Sequence, residues 1–354
     1  VMISASHNPC EYNGIKIFQS TGYKLPDSVE DEIEAIILDS PDQIELKTGG
    51  DVGRRTYCKT AVEDYIEHIV SVSEVSFDGL NIAIDTANGS ASVCAKEIFT
   101  RLGAKCHMLS DTPNGVNINL NCGSTHMEEL AEFVKANKLD LGIAFDGDAD
   151  RMLAVDENGE IVDGDKVIAI CATQMKQEKK LAKNTAVVTV MSNMGFFKFC
   201  EDNGIKCAKT AVGDRYVLER MLKDGYNIGG EQSGHVIFLD HATTGDGELS
   251  AVKLLETVVK SGASLAQLSK VMTVYPQVLI NVPVTDEGKK KYNNDEYIIS
   301  AVQEAEMELH GDGRVLVRVS GTEPLVRVML EGMDTEQITR LGNDIANVVK
   351  ERLS

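Results

Sequence analysis

The stretch Leu139-Asp-Leu-Gly-Ile-Ala-Phe-Asp-Gly-Asp-Ala-Asp-Arg151 decides the fold reading. It opens as a short apolar run of strand length and then breaks into a turn of alternating carboxylates, Asp146, Asp148 and Asp150. Working outward, Met127 to Asn137 has helical periodicity, Ala104 to Leu109 reads as a strand, Ala91 to Leu102 as a helix, and Leu80-Asn-Ile-Ala-Ile-Asp85 as a buried strand. After Asp163 the cycle restarts: helix Lys166 to Met175, strand Ala186 to Met191, helix Met194 to Asn203, strand Ile205 to Thr210, helix Tyr216 to Lys223 and strand Tyr226 to Gly229. This alternation predicts α/β domains. The final stretch differs: strands Val278 to Val284, Arg314 to Val319 and Leu325 to Glu331, with helices Glu296 to Leu309 and Thr335 to Arg352, predict a small α+β unit. Residues 1 to 60, with one strand and the helix Val29 to Leu38, read as the tail of an incomplete domain. Boundaries are expected near 62, 159 and 273, giving segments 1–62, 63–159, 160–272 and 273–354.

The chain of 354 residues can bury a sizeable core. Its balance is acidic, Lys+Arg 35 against Asp+Glu 55, a formal net charge of -20. That disfavours nucleic acid and anionic membranes as partners, since both need a basic face. A locally positive cleft for phosphorylated small molecules stays compatible with it. No run approaches the roughly 18 apolar residues of a membrane span, and no signal peptide opens the chain. The cytoplasm is therefore the expected location. The eight cysteines form no C-x-x-C pair and read as reduced, small core residues.

Four loops carry candidate chemistry. Ser4-Ala-Ser-His-Asn-Pro9 with Asn13-Gly-Ile-Lys16 offers Ser6 as a phosphoryl acceptor and Lys16 as a proton carrier, if the pKa of that lysine is lowered there. The same letters also suit an Asn-Pro turn with capping serines. Asp146-Gly-Asp-Ala-Asp-Arg151 can ligate one hard cation through oxygen. An EF-hand is excluded, because Arg151 stands where the sharp turn needs glycine and the flanks read as strands. Gly229-Gly-Glu-Gln-Ser-Gly-His235 brings backbone close to a ligand and offers Glu, Ser and His to sugar hydroxyls. Arg318-Val-Ser-Gly-Thr-Glu-Pro324, with Arg327, groups hydroxyls, a glycine and two arginines as a phosphate cradle. There is neither a P-loop nor a G-x-G-x-x-G fingerprint, so nucleotide hydrolysis and dinucleotide redox chemistry have no support.

In this order and spacing the four loops resemble those of the α-D-phosphohexomutases, and the resemblance runs along the whole chain. It includes Asn117-Ile-Asn-Leu-Asn-Cys-Gly-Ser-Thr125, Val212 to Glu219 and Thr243 to Gly247. The resemblance implies related α/β domains with a smaller C-terminal one. It implies a mutase that moves phosphate within a hexose through a phosphoserine and a bisphosphorylated sugar. Ser6 would carry the phosphoryl group and complete the shell of one Mg2+ held by Asp146, Asp148 and Asp150. Arg151 would neutralise the transferring phosphate, Lys16 and His235 would move protons, and His7 would support the serine loop. Glu231 and Ser233 would grip sugar hydroxyls, while Arg318, Ser320, Gly321, Thr322 and Arg327 would bind the distal phosphate. The forms of the serine and sugar loops favour the glucosamine branch, which interconverts glucosamine 6-phosphate and glucosamine 1-phosphate and feeds UDP-N-acetylglucosamine. The alternatives are a phosphomannomutase or phosphoglucomutase of the same family, or an inactive phosphosugar-binding fragment. The family's Gly-rich, Arg-containing opening segment has no match here, so a truncated first domain with weak activity is expected. Homodimers are a habit of the family.

Overall fold

The computed structural model describes residues 1–4, 6–320 and 323–353, with backbone alone at Gln43 and Asn293. In chain order the elements begin β1 (Met2–Ser4), β2 (Gly14–Lys16), α1 (Asp27–Leu38), α2 (Ala61–Val72), β3 (Asn81–Asp85), α3 (Ala95–Arg101) and β4 (Lys105–Leu109). Then come α4 (Glu128–Asn137), β5 (Leu141–Phe145), β6 (Met152–Asp156), β7 (Ile161–Val162), α5 (Gly164–Gln177), β8 (Thr185–Thr189), α6 (Met194–Asp202) and β9 (Lys206–Thr210). The chain continues through α7 (Asp214–Asp224), β10 (Ile228–Gly230), β11 (Val236–Phe238), α8 (Gly247–Ser261), α9 (Leu265–Leu268) and β12 (Gln277–Pro283). It ends with α10 (Asp286–Lys291), α11 (Glu296–Glu308), β13 (Gly313–Val319), β14 (Leu325–Gly332) and α12 (Thr335–Leu353).

These elements fall into two units, Val1–Met191 with Gly204–Val271, and Ser192–Asn203 with Met272–Ser354. The first holds two sheets of one design. In the order β4-β3-β5-β6-β7, β3 runs parallel to β4 and β5, while β6 is antiparallel to β5 and β7. In the order β11-β10-β8-β9, β8 is parallel to β9 and β10, and β11 is antiparallel to β10. A parallel centre with an antiparallel extension makes each a mixed α/β sheet. Every residue of β5 and β8 is buried, as expected for strands covered on both faces. Helix α4 presses close on β5 at Gly142, where a Cβ would meet Val155, Val134 and Leu130 within 2.9 Å.

Four helices, α2, α8 and the short α9 and α10, have no counterpart in the sequence reading. Helix α2 buries Ile66, Ile69 and Val72, and α8 is buried along most of its length. Asp246 caps α8 by accepting from the Leu249 amide, and Gly262 ends it in the left-handed region. By contrast α1 buries none of its residues, and Ile36, Ile37 and Leu38 are exposed. No disulfide joins the cysteines among the described residues, and Cys94, Cys122, Cys171 and Cys200 are buried.

The second unit is a three-stranded antiparallel sheet, β12-β14-β13, with its core among Val282, Val326, Val328, Leu330 and the inner face of α12. Helix α6 belongs to this unit: its Asn193 cap bonds the backbone of Tyr275, and the Met194 amide donates to Glu331.

Candidate active site

The acidic loop is the tip of the β5–β6 hairpin, so two strands fix its ends, and Ala149 turns it in the left-handed region at φ 58°. The three carboxylates converge: one ligand atom from each of Asp146, Asp148 and Asp150 lies within 4.8 Å of the others. Asp146 is 1% exposed. One oxygen of each carboxylate is buried without a hydrogen-bond partner among the described residues. Three orphaned acceptors on hard oxygen ligands are the arrangement a small divalent cation satisfies. Burial, then the like charges of Asp150 and Asp148, push the Asp146 carboxyl far above its usual range. Burial also opposes ionisation of Asp150, but His235 and Lys16 outweigh it and hold that carboxyl well below the usual range.

The serine loop lies against this hairpin. Strands β1 and β2 pair antiparallel with Met2 opposite Lys16, which brings both ends of the loop to one place. The Ser4 hydroxyl donates to Asp148 at 2.6 Å and accepts from the Ser6 amide at 2.9 Å. The Ser6 carbonyl accepts from the Gly147 amide at 3.1 Å. Ser6 itself sits in the left-handed region, φ 50°. Its Oγ is 3.3 Å from His7 Nδ1, which also lies 3.1 Å from the Arg151 guanidinium. Desolvation, then the charge of Arg151, hold the His7 ring below its ordinary value, and because a guanidinium can only donate, its contact with Nδ1 makes that nitrogen the acceptor.

Lys16 departs from expectation. Its Nζ lies 2.6 Å from Asp148 and 3.2 Å from Asp150. Burial alone would lower its pKa, but the hydrogen bonds and charges of the two carboxylates raise it instead. A lysine held between two carboxylates keeps its proton, so the lowered pKa that was set as the condition for a proton carrier is not met.

The sugar-type loop follows β10. Gly164 at the start of α5 packs against the Glu231 carbonyl, and its amide donates to the Gln232 carbonyl at 3.0 Å. Glu231 accepts from the Gly213 amide at 3.1 Å, and Ser233 is exposed. His235 is buried between two carboxylates, with Nδ1 3.6 Å from Asp150 and Nε2 3.5 Å from Asp214. The Gly245 amide donates to the same Nε2 at 3.2 Å. Asp214 also pairs with Lys24. Burial would raise the Asp214 carboxyl, but His235 and Lys24 bring it below its usual range.

The first unit therefore brings together Ser6, His7, Lys16, Asp146, Asp148, Asp150, Arg151 and His235. Ser4, Lys24 and Asp214 join them without having been singled out from sequence. Ser4 lay within the quoted serine loop and Asp214 within the Val212 to Glu219 run, while Lys24 carried no signal.

In the second unit Arg318 and Arg327 face each other across β13 and β14. Burial, then the charge of Arg327, lowers the Arg318 pKa. Like charges directly opposite are unfavourable in a sheet unless an anion lies between them. Arg327 bonds Glu323 at 2.6 Å through one nitrogen, while its Nε is buried without a partner among the described residues. Ser320 is buried and its hydroxyl accepts from the Glu323 amide at 3.2 Å. Gly321 and Thr322, also expected in this cradle, lie outside the described residues.

The fold and the site define a phosphosugar mutase. Family models described as phosphoglucomutase/phosphomannomutase alpha/beta/alpha domains I, II and III match residues 1–43, 63–159 and 163–275, and the C-terminal domain model matches 279–348. A phosphoglucosamine mutase of Ruminiclostridium cellulolyticum is 52% identical over 354 residues, covering 100% of this chain and 79% of that protein. One from Acetivibrio thermocellus is 51% identical over 353 residues, with the same two coverages. The N-acetylphosphoglucosamine mutase of Aspergillus fumigatus, solved with GlcNAc-6P and magnesium, shares the fold at a TM-score of 0.77 and 18% identity, covering 99% of this chain and 88% of that one. The chain belongs to the phosphoglucosamine mutase family, and it is an isomerase. No helix among the described residues is long and apolar enough to cross a membrane.

Proposed function

We propose that this mutase interconverts glucosamine 6-phosphate and glucosamine 1-phosphate by passing a phosphoryl group between Ser6 and the sugar. The observation that carries this reading is the tie between the Ser6 loop and the Asp146–Arg151 loop, through Ser4 to Asp148 and through the Ser6 carbonyl to the Gly147 amide. The names of the relatives at about half identity favour glucosamine over mannose or glucose.

In the forward direction the bond from Ser6 Oγ to phosphorus breaks, and a bond forms from phosphorus to the free sugar hydroxyl. The hydroxyl's proton passes to a base, for which His235 is the candidate. Lys16, held charged by Asp148 and Asp150, is the candidate donor to the Ser6 oxygen as it leaves. The bisphosphorylated sugar then turns, its other phosphate returns to Ser6, and the isomeric monophosphate is released. Asp146, Asp148 and Asp150, with an oxygen of the Ser6 phosphate, would hold Mg2+, which supplies charge neutralisation at the phosphoryl group. Arg151 adds a fixed positive charge beside His7. Glu231 and Ser233 take sugar hydroxyls, and Arg318, Ser320, Gly321, Thr322 and Arg327 take the second phosphate.

Ser6→Ala should abolish turnover with Mg2+ present; retained turnover would remove Ser6 as the carrier. Comparing kcat/KM on glucosamine, mannose and glucose 6-phosphates tests the sugar, and a strong glucose preference would overturn that half of the proposal.

A further inference from the structure

Asn119 lies in the Asn117–Thr125 run, to which the mechanism above assigns no part. It is 6% exposed and stands in the left-handed region at φ 55°. Its own amide is tied to the Ala87 carbonyl at 2.9 Å. Its side-chain nitrogen donates to the Ser6 carbonyl at 2.8 Å and to the Asn8 carbonyl at 2.8 Å. Only the NH2 end of a carboxamide carries two hydrogens, so these two acceptors use both and fix which way the amide points. The Ser6 carbonyl is thus held from two sides, by Asn119 and by the Gly147 amide. Gly147 completes the junction, since a Cβ there would lie 2.5 Å from the Ser6 carbonyl oxygen and 2.7 Å from Asn119 Nδ2.

We infer that Asn119 is a positioning residue for the phosphoryl carrier: its amide clamps the Ser6 and Asn8 carbonyls and sets the serine loop against the Asp146–Arg151 loop. The inference rests on the reading of Ser6 as that carrier. Asn119 touches no reacting atom. Its effect runs through the placement of Ser6, whose left-handed backbone is otherwise unfavourable for a residue with a Cβ. A misplacement of about 1 Å at a reacting centre costs on the order of 10²-fold in rate. Asp at this position keeps the shape but sets carboxylate oxygens against two carbonyl oxygens, and Ala removes both donors without adding charge.

The test is the rate at which glucosamine 1,6-bisphosphate phosphorylates Ser6, followed by peptide mass mapping with Mg2+ present, together with kcat and KM for glucosamine 6-phosphate. Wild type, Asn119→Asp and Asn119→Ala are compared, and Asn119→Ala gives the same reading if Asn119→Asp does not fold. The expected result is a fall on the order of 10²-fold in Ser6 phosphorylation and in kcat, with KM within about twofold because no sugar-binding residue has moved. Folded variants that phosphorylate Ser6 at the wild-type rate, or that lose KM and kcat together, overturn the role of Asn119 alone. A wild-type protein that turns over without phosphorylating Ser6 overturns the carrier reading and this inference with it.

Discussion

Lys16 and the three aspartates describe a competition for the same oxygens. The ammonium sits on Asp148 and Asp150, while a further buried oxygen on each carboxylate has no hydrogen bond among the described residues. A divalent cation entering there must share or displace that ammonium. Lys16→Gln is therefore expected to tighten Mg2+ binding about tenfold, roughly 1.4 kcal/mol, while lowering turnover; titration calorimetry on the substituted protein decides it. Unchanged or weaker binding would mean that the lysine does not compete with the cation. The carboxylate triad was legible in the sequence because hard-metal chemistry needs acids at alternate positions of a tight turn. The raised pKa of Lys16 was not legible, because it depends on which chain-distant carboxylates the β1–β2 hairpin brings to it. Ser4 was passed over for a similar reason: its role is a bond to Asp148, and nothing local to its own loop announces that partner.

At the scale of elements, the start of α5 carries the sugar-type loop. The Asp163 side chain caps α5 and accepts from the Gln232 side-chain Nε2 at 3.0 Å, and Gly164 leaves no room between the helix and the Glu231 carbonyl. Gly164→Ala is expected to destabilise by about 1–3 kcal/mol, read from urea unfolding, and to raise KM for the sugar phosphate as Glu231 shifts. No loss of stability would show that the loop yields freely and that the helix does not set its position. Most elements here followed from period alone, since β5 and the middle of β8 are short apolar runs that follow a helix. Helices α2 and α8 broke that rhythm. The signals for α8 were present in Asp246 as cap and Gly262 as stop, yet they adjoin the Thr243–Gly247 motif, where loop and helix meet without a strand between.

Across the whole molecule, acidity shapes stability. Tyr65, on α2, donates its single hydroxyl proton among Asp246 at 3.0 and 3.1 Å and Glu248 at 3.1 Å. Glu248 is buried, and burial followed by the charge of Asp246 pushes its carboxyl up to about 7. The folded protein therefore holds a proton that the unfolded chain releases, so this group's contribution falls as pH rises from 4.5 to about 7. Glu248→Gln should flatten the pH dependence of Tm across that window, and a slope equal to wild type would contradict the assignment. With a net charge of -20, self-repulsion should also ease with salt, so Tm is expected to rise between low ionic strength and about 0.15 M, where charges beyond roughly 8 Å are screened; calorimetry at two salt concentrations checks it. The role of Ser6 as phosphate carrier is tested most directly by mapping the phosphorylated residue after the protein, with Mg2+, has been charged by glucosamine 1,6-bisphosphate and then chased with glucosamine 6-phosphate. Phosphate is expected on Ser6 alone, with its loss to the sugar on chase, whereas turnover with phosphate on another residue, or on none, would contradict Ser6 as the carrier.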